Sequence, residues 1–115
     1  MRIIIAGGRD FKPSEQDWFL VRDLLIAHRA TEIISGGARG ADAFGERMGN
    51  RMGITVRVFS AEWNKYGKLA GPRRNRLMAE YADAIILMPG GRGTDNMRFH
   101  ARSNGLKILY DSEAQ

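Results

Sequence analysis

The chain has 115 residues, 43% apolar and 27% charged, and a net charge of +5. That length and balance make one globular domain. They exclude a membrane span, since no apolar run approaches the roughly 20 residues required, and the total lack of cysteine excludes disulfides, thiolate metal sites and cysteine nucleophiles.

The first apolar run, Ile3-Ile4-Ile5-Ala6, has a strand's length and not that of a signal-peptide core. It leads into Gly7-Gly8-Arg9-Asp10. A helix is predicted over residues 14–28, with Ser14 as N-cap and Asp17 three later in a capping-box-like start. Trp18, Val21, Leu24, Leu25 and His28 recur there at helical spacing. The second strand, Ile33-Ile34-Ser35, leads into Gly36-Gly37-Ala38-Arg39-Gly40-Ala41-Asp42. A helix over 40–52 follows, stopped by Gly53, and a strand over 55–59. Residues 61–71, with Trp63, Tyr66 and Gly67, read as a loop. A helix over 72–82 carries Pro72 near its first turn, before a strand over 83–88. Pro89-Gly90-Gly91-Arg92-Gly93-Thr94 then leads into a helix over 94–104, closed by Gly105, and a last strand over 106–110. Residues 111–115 read as a loose tail, leaving 1–110 as the domain. Continuous β-branched runs belong to strands buried on both faces, as in parallel sheets. The alternation of strand and helix predicts an α/β open sheet with right-handed crossovers.

Parallel strands end on one side, and ligands bind there, near the point where strand order reverses. This chain places three Gly-Gly turns on that rim, and with them Arg9, Arg39, Arg73, Arg74, Arg76 and Arg92, six of its fourteen arginines. Glycine lets backbone N–H groups approach a ligand closely, helix N-termini leave free donors, and the arginine fork matches phosphate. Trp63 and Tyr66 are candidate base contacts, and Thr94 can cap a helix or donate to a phosphate oxygen. Neither the GxGxxG nor the GxxxxGK[ST] pattern is present. The residues therefore point to a phosphate-bearing small ligand held outside the standard dinucleotide and P-loop arrangements.

Gly7-Gly8-Arg9-Asp10-Phe11, Ser35 through Asp42, Glu62-Trp63 with Tyr66-Gly67, Ala70-Gly71-Pro72-Arg73-Arg74-Asn75, Met78, Ala82-Asp83 and the PGGxGT segment from Pro89 to Thr94 resemble the YspA-like branch of the SLOG superfamily. That superfamily groups the LOG phosphoribohydrolases with the DNA-processing protein DprA/Smf. The resemblance runs over nearly the full chain. It implies a Rossmann-like doubly wound sheet of five strands in the order 3-2-1-4-5. It also implies a nucleotide or nucleotide-derived ligand, such as AMP, ADP-ribose or an NAD-like molecule, that is sensed or processed. LOG enzymes hydrolyse the N-glycosidic bond of a nucleoside 5′-monophosphate, and their motif continues as PGGxGTxxE with a catalytic Glu. Met97 stands at that position here, whereas Arg74 and Met78 match the LOG Arg and Met of an R-K-x-x-M segment. A hydrolase of this kind needs a carboxylate from elsewhere, by analogy with glycosidases. Asp10, Asp42, Glu62 and Asp95 are the candidates, with Arg74.

The predicted ligand-binding set is Gly7, Gly8, Arg9, Ser35, Gly36, Gly37, Arg39, Gly40, Trp63, Arg74, Asn75, Gly90, Gly91, Arg92, Gly93 and Thr94. No metal site is expected from two histidines without paired carboxylate spacing. Competing structural readings exist. Asp10, Asp42 and Asp95 suit a helix dipole, Glu46 suits a salt bridge to Arg39, and Trp63 suits plugging a sheet edge. Arg73 and Arg76 share a helix face that Arg74 does not, and the six methionines suit core filling. Nucleotide binding ranks first, an N-glycosidic nucleotide hydrolase second and single-stranded nucleic-acid binding third. A reducing cytoplasm is the expected compartment. A homodimer through exposed methionine and aromatic side chains of the third and fourth helices is expected by analogy with LOG relatives.

Overall fold

The computed structural model describes residues 1–114. Its elements in chain order are β1 (Arg2–Ala6), α1 (Glu15–Ala27), β2 (Glu32–Ser35), α2 (Ala41–Met52), β3 (Thr55–Val58), α3 (Trp63–Tyr66), a 3-10 turn (Gly67–Leu69), α4 (Ala70–Tyr81), β4 (Ala84–Leu87), α5 (Arg92–Ser103) and β5 (Lys107–Asp111). The strands form one parallel sheet in the order β3-β2-β1-β4-β5. This is the doubly wound order that the resemblance implies.

The isoleucine runs explain the layers. Successive side chains of a strand point to opposite faces. Ile3 and Ile5 join Val21, Leu25, Phe44 and Met48 in the core under α1 and α2. Ile4 and Ala6 join Met78, Ala79, Met97 and Ala101 in the core under α4 and α5. The central β1 strand is therefore sealed on both sides, with Ile4 in register with Ile34 and Ile85. After β3 the chain returns across the sheet to place β4 beside β1. The β1–β4 junction is thus the reversal point, and its carboxyl end is where a crevice opens.

Most boundaries follow the local signals. Ser14 accepts from the Asp17 N–H, and Asp17 accepts from the Ser14 N–H, so the capping box is complete. Gly53 closes α2 in the left-handed conformation, at φ +69°. Two expectations fail. Residues 61–71 are not a loop: α3 and the 3-10 turn fill them, and α4 starts two residues before Pro72. Proline sits there in the first helical turn, where its missing N–H has no acceptor to lose. Residue 111 is not a loose tail. Asp111 is the last residue of β5, and its carboxylate takes two hydrogen bonds from Arg98, at 2.7 and 2.9 Å. Gln115, the end of the expected tail, lies outside the described residues. No helix among the described residues is long and apolar enough to cross a membrane.

Candidate functional site: a cleft at the strand-order reversal

The turns after β1 and β4 pack backbone on backbone. The Gly8 N–H donates to the Pro89 carbonyl at 2.8 Å, and the Gly8 carbonyl accepts from the Ala41 N–H at 3.1 Å. A Cβ on Gly7 would lie 2.7 Å from that of Ala41 and 2.9 Å from that of Met88. One on Gly90 would run into the Thr94 hydroxyl and the Gly8 amide. Gly40, at φ +76°, has the Gly8 carbonyl where its Cβ would be. These glycines admit neighbouring backbone. Gly8 lines the cleft, but its amide is already spent on the Pro89 carbonyl.

The turn after β2 is likewise closed on itself. Ser35 is buried; its hydroxyl donates to Glu46 at 2.6 Å and accepts from the Gly37 N–H at 3.1 Å. Ser35 therefore organises the turn from outside the cleft wall, and Glu46 bonds Ser35 where Arg39 was expected. Arg39 instead pairs with Asp10 at 3.1 Å on the open surface. The Ala38 N–H donates to Asp42 Oδ2 at 3.1 Å. Burial raises the Asp42 carboxyl to about 6. The Ala38 N–H and the charges of Arg74 and Arg9 pull it down, and Glu46 pushes it up.

From α4, Arg74 Nη1 donates to the Gly36 carbonyl at 2.6 Å and Nε donates to Asn75 Oδ1 at 2.9 Å. Asn75 in turn donates to the Gly93 carbonyl at 3.3 Å and to Asn96 Oδ1 at 3.1 Å. One chain of bonds therefore joins the β2 turn, α4 and the start of α5. Burial lowers the Arg74 pKa, opposed by Asp42 and reinforced by Arg9. An arginine still stays charged in such a place. Arg73 and Arg76 point to solvent, and Arg73 covers the Tyr66 ring at 4.4 Å.

The first backbone bond of α5 runs from the Asp95 N–H to the Gly91 carbonyl. The amides of Arg92, Gly93 and Thr94 precede it and have no acceptor within the helix. Arg92, Gly93 and Thr94 line a cleft of about 480 Å³, a size suited to a small ligand. Gly7, Gly8, Arg9, Gly36, Trp63, Arg74, Asn75, Gly91, Arg92, Gly93 and Thr94 of the predicted set line it. Gly37 and Arg39 line an adjoining cleft of about 350 Å³, which shares Arg9, Gly36, Trp63 and Arg74 with the first. Ser35, Gly40 and Gly90 are outside the cleft wall, as is Tyr66 beneath Arg73.

Among the carboxylates of the described residues, Asp42 alone lines the cleft. Asp10 lines a surface groove beside Lys12, Glu62 flanks Lys65, and Asp95 pairs with Arg98 at 2.9 Å. Met97 is buried and lines the cleft, so a thioether stands where the LOG pattern has its Glu. Trp63 plugs no sheet edge. It is half exposed, near Gly71 of α4, with the Arg9 guanidinium 5.8 Å from its ring centre. The sequence reading missed Ala6, Ala38, Gly71, Pro72, Met78 and Asn96 in the cleft wall. Only Asn96 carried a polar signal, one turn before His100. No group of three metal-binding side chains occurs among the described residues.

A profile of the YspA, cpYpsA-related SLOG family matches residues 1–66. The chain belongs to this SLOG family. The matched part carries the first two glycine turns and Trp63, while the α4 and α5 walls of the SLOG cleft lie beyond it. No curated protein matches the chain. Among solved structures, the X-ray structure of TM1055, a Northeast Structural Genomics Consortium target, aligns with a TM-score of 0.71. The alignment covers 93% of this chain and 71% of that one at 16% identity, a likeness of fold.

Proposed function

We propose that the cleft binds a nucleotide or nucleotide-derived small molecule of the AMP, ADP-ribose or NAD type. The observation that carries this reading is the convergence of free α5 amides and three arginines, Arg9, Arg74 and Arg92, on a cleft with one carboxylate. Helix N-termini and arginine forks both favour phosphate. The phosphate belongs at the amides of Arg92, Gly93 and Thr94, within reach of Arg92. The base belongs on the exposed face of Trp63, whose ring offers stacking to any base. The sugar then lies between them, beside Gly36 and Arg74.

Membership of the SLOG family supports a nucleotide-related role in general. Arg9, Arg39, Arg74 and Arg92 gather around the two adjoining clefts, which favours a compact ligand over a nucleic-acid strand. Of the exposed methionine and aromatic side chains expected on α4 and α5 for a dimer, the aromatic Phe99 is exposed and the methionines are not. Met78 and Met97 are buried in the core, and Leu77 and Phe99 are the large apolar side chains that α4 and α5 expose. A thermal-shift series with AMP, NAD, ADP-ribose and a short single-stranded oligonucleotide tests the reading. Ligand at about 100 times its Kd stabilises the folded state by about 2.7 kcal/mol. A shift with a nucleotide that tolerates salt is the expected result; a shift with the oligonucleotide alone, lost as salt rises, contradicts it.

A further inference from the structure

We infer that the adjoining cleft is a second anion site, fitted to a phosphate on the 2′ or 3′ oxygen of the nucleotide's sugar, an inference that rests on the binding reading above. Arg9, Arg39 and Arg74 line that cleft, with Ser60, and no carboxylate of the described residues does. Neither Arg9 nor Arg74 has an ion pair among the described residues. Burial lowers the Arg74 pKa and the Arg9 charge lowers it further, so the two guanidinium groups repel each other. An anion between them turns that repulsion into two attractions. Arg74 spends Nη1 on the Gly36 carbonyl and Nε on Asn75, which fixes its fork and leaves Nη2 without a partner among the described residues. Arg39 is available as well. Its side chain is 73% exposed and that of its partner Asp10 is 93% exposed. An ion pair in that much water is worth little and gives way to the stronger fork that arginine makes with phosphate.

The division of residues between the two clefts says where this phosphate is attached. Of the two, Arg92, Gly93 and Thr94 line only the first, and Gly37, Arg39 and Ser60 only the second. One phosphate group does not serve both sets. Gly36, Trp63 and Arg74 line both, and these are the residues assigned above to the sugar and the base. A nucleotide with its 5′-phosphate at the start of α5 therefore has its sugar at the junction. A substituent on the 2′ or 3′ oxygen enters the second cleft, whereas a phosphate added to the 5′-phosphate stays on the α5 side. The junction is open because residue 36 is glycine: a Cβ there would lie 2.8 Å from Arg74 Nη1. The Gly37 and Ala38 amides are spent on Ser35 Oγ and Asp42, so the guanidinium groups carry the recognition in the second cleft.

The test titrates the full chain calorimetrically with AMP, ADP, adenosine 2′,5′-bisphosphate and adenosine 3′,5′-bisphosphate. Wild type is expected to bind at least one bisphosphate about 10- to 100-fold more tightly than AMP and ADP, the gain that hydrogen bonds to a charged group confer. Which bisphosphate gains names the oxygen that carries the phosphate. Arg39→Gln is expected to shrink the advantage over AMP about 10-fold. Arg22→Gln removes the same charge from α1, outside both clefts, and is expected to keep the advantage in full. Binding of AMP as tight as that of both bisphosphates overturns the inference and leaves the binding reading standing. So does a gain for ADP equal to theirs, or an equal effect of Arg39→Gln and Arg22→Gln, since each makes the preference one of overall charge. Absence of binding by all four ligands overturns both readings. The wild-type series requires no variant, so it decides even if Arg39→Gln does not fold.

Discussion

Arg74 on α4 donates to the Gly36 carbonyl at 2.6 Å, and this bond ties the turn after β2 to the opposite wall of the cleft. The same guanidinium is fixed by Asn75, which holds the start of α5. Arg74 therefore shapes the cleft and supplies its charge. Arg74→Met is expected to weaken nucleotide binding about 10- to 100-fold, since hydrogen bonds to charged groups are worth about 1.5–3 kcal/mol. Arg74→Lys keeps the charge without the fork and is expected to fall between. Calorimetric titration of the three proteins checks the order.

Asp42 carries a stability cost at neutral pH. Its carboxyl is raised from 3.8 to about 6 on folding, so the folded state holds the proton more tightly than the unfolded chain. The stabilisation from that proton is complete below about pH 4 and is lost as pH rises through about 6. Asp42→Asn removes the cost of the buried charge and keeps an acceptor for the Ala38 N–H. It is expected to be more stable than wild type above about pH 6, by on the order of 1–3 kcal/mol at 1.36 kcal/mol per unit. The difference is expected to vanish near pH 4, and urea melts at the two pH values check it.

Trp63 is half exposed, so its removal changes stability little. Its expected role is stacking, worth about 1–3 kcal/mol per base. Trp63→Ala is expected to lose that much nucleotide affinity, and Trp63→Phe to retain most of it. Binding of inorganic phosphate alone is expected to be unchanged in both, which a competition titration measures.

The strands, the four long helices and the three glycine turns were legible because periodicity and caps are local signals, whereas the sheet order came from the family resemblance. Ile3 to Ala6 and Ile85 to Leu87 announce two-sided burial in their own residues. The glycines misled in one respect. Their spacing marks βα turns, but the partner that excludes a side chain is nonlocal: Gly8 meets Pro89, and Gly40 meets the Gly8 carbonyl. Asp10, Asp42, Glu62 and Asp95 were indistinguishable in sequence, because only the packing of α2 against the β2 turn separates Asp42 from the surface three. Asp111 was missed for the same reason: its partner Arg98 is on another element.

Gly40→Ala places a Cβ against the Gly8 carbonyl at a φ of +76°. Both the clash and the left-handed backbone oppose it. The variant is expected to lose at least about 1–3 kcal/mol, whereas Gly91→Ala, with open space around it, is expected to lose little. Denaturant melts of the pair separate steric need from loop flexibility.

Arg98 and Asp111 are both nearly buried and form a bidentate pair that anchors β5 to α5. The Arg98 hydrogen bonds hold the Asp111 carboxyl below its usual value, so the contribution is present above about pH 4 and is lost as acid protonates Asp111. Arg98→Met strands a buried carboxylate and is expected to cost about 3–5 kcal/mol. The double variant Arg98→Met with Asp111→Leu is expected to recover much of that, as thermal melts would report.

The most direct test of nucleotide binding in the cleft is calorimetric titration of wild type and Arg74→Met with AMP, NAD and ADP-ribose at about 50 and about 200 mM salt. The account predicts saturable binding of at least one of them to wild type, with little salt dependence and a marked loss in Arg74→Met. No heat from any of the three, or the same affinity in Arg74→Met, would contradict it.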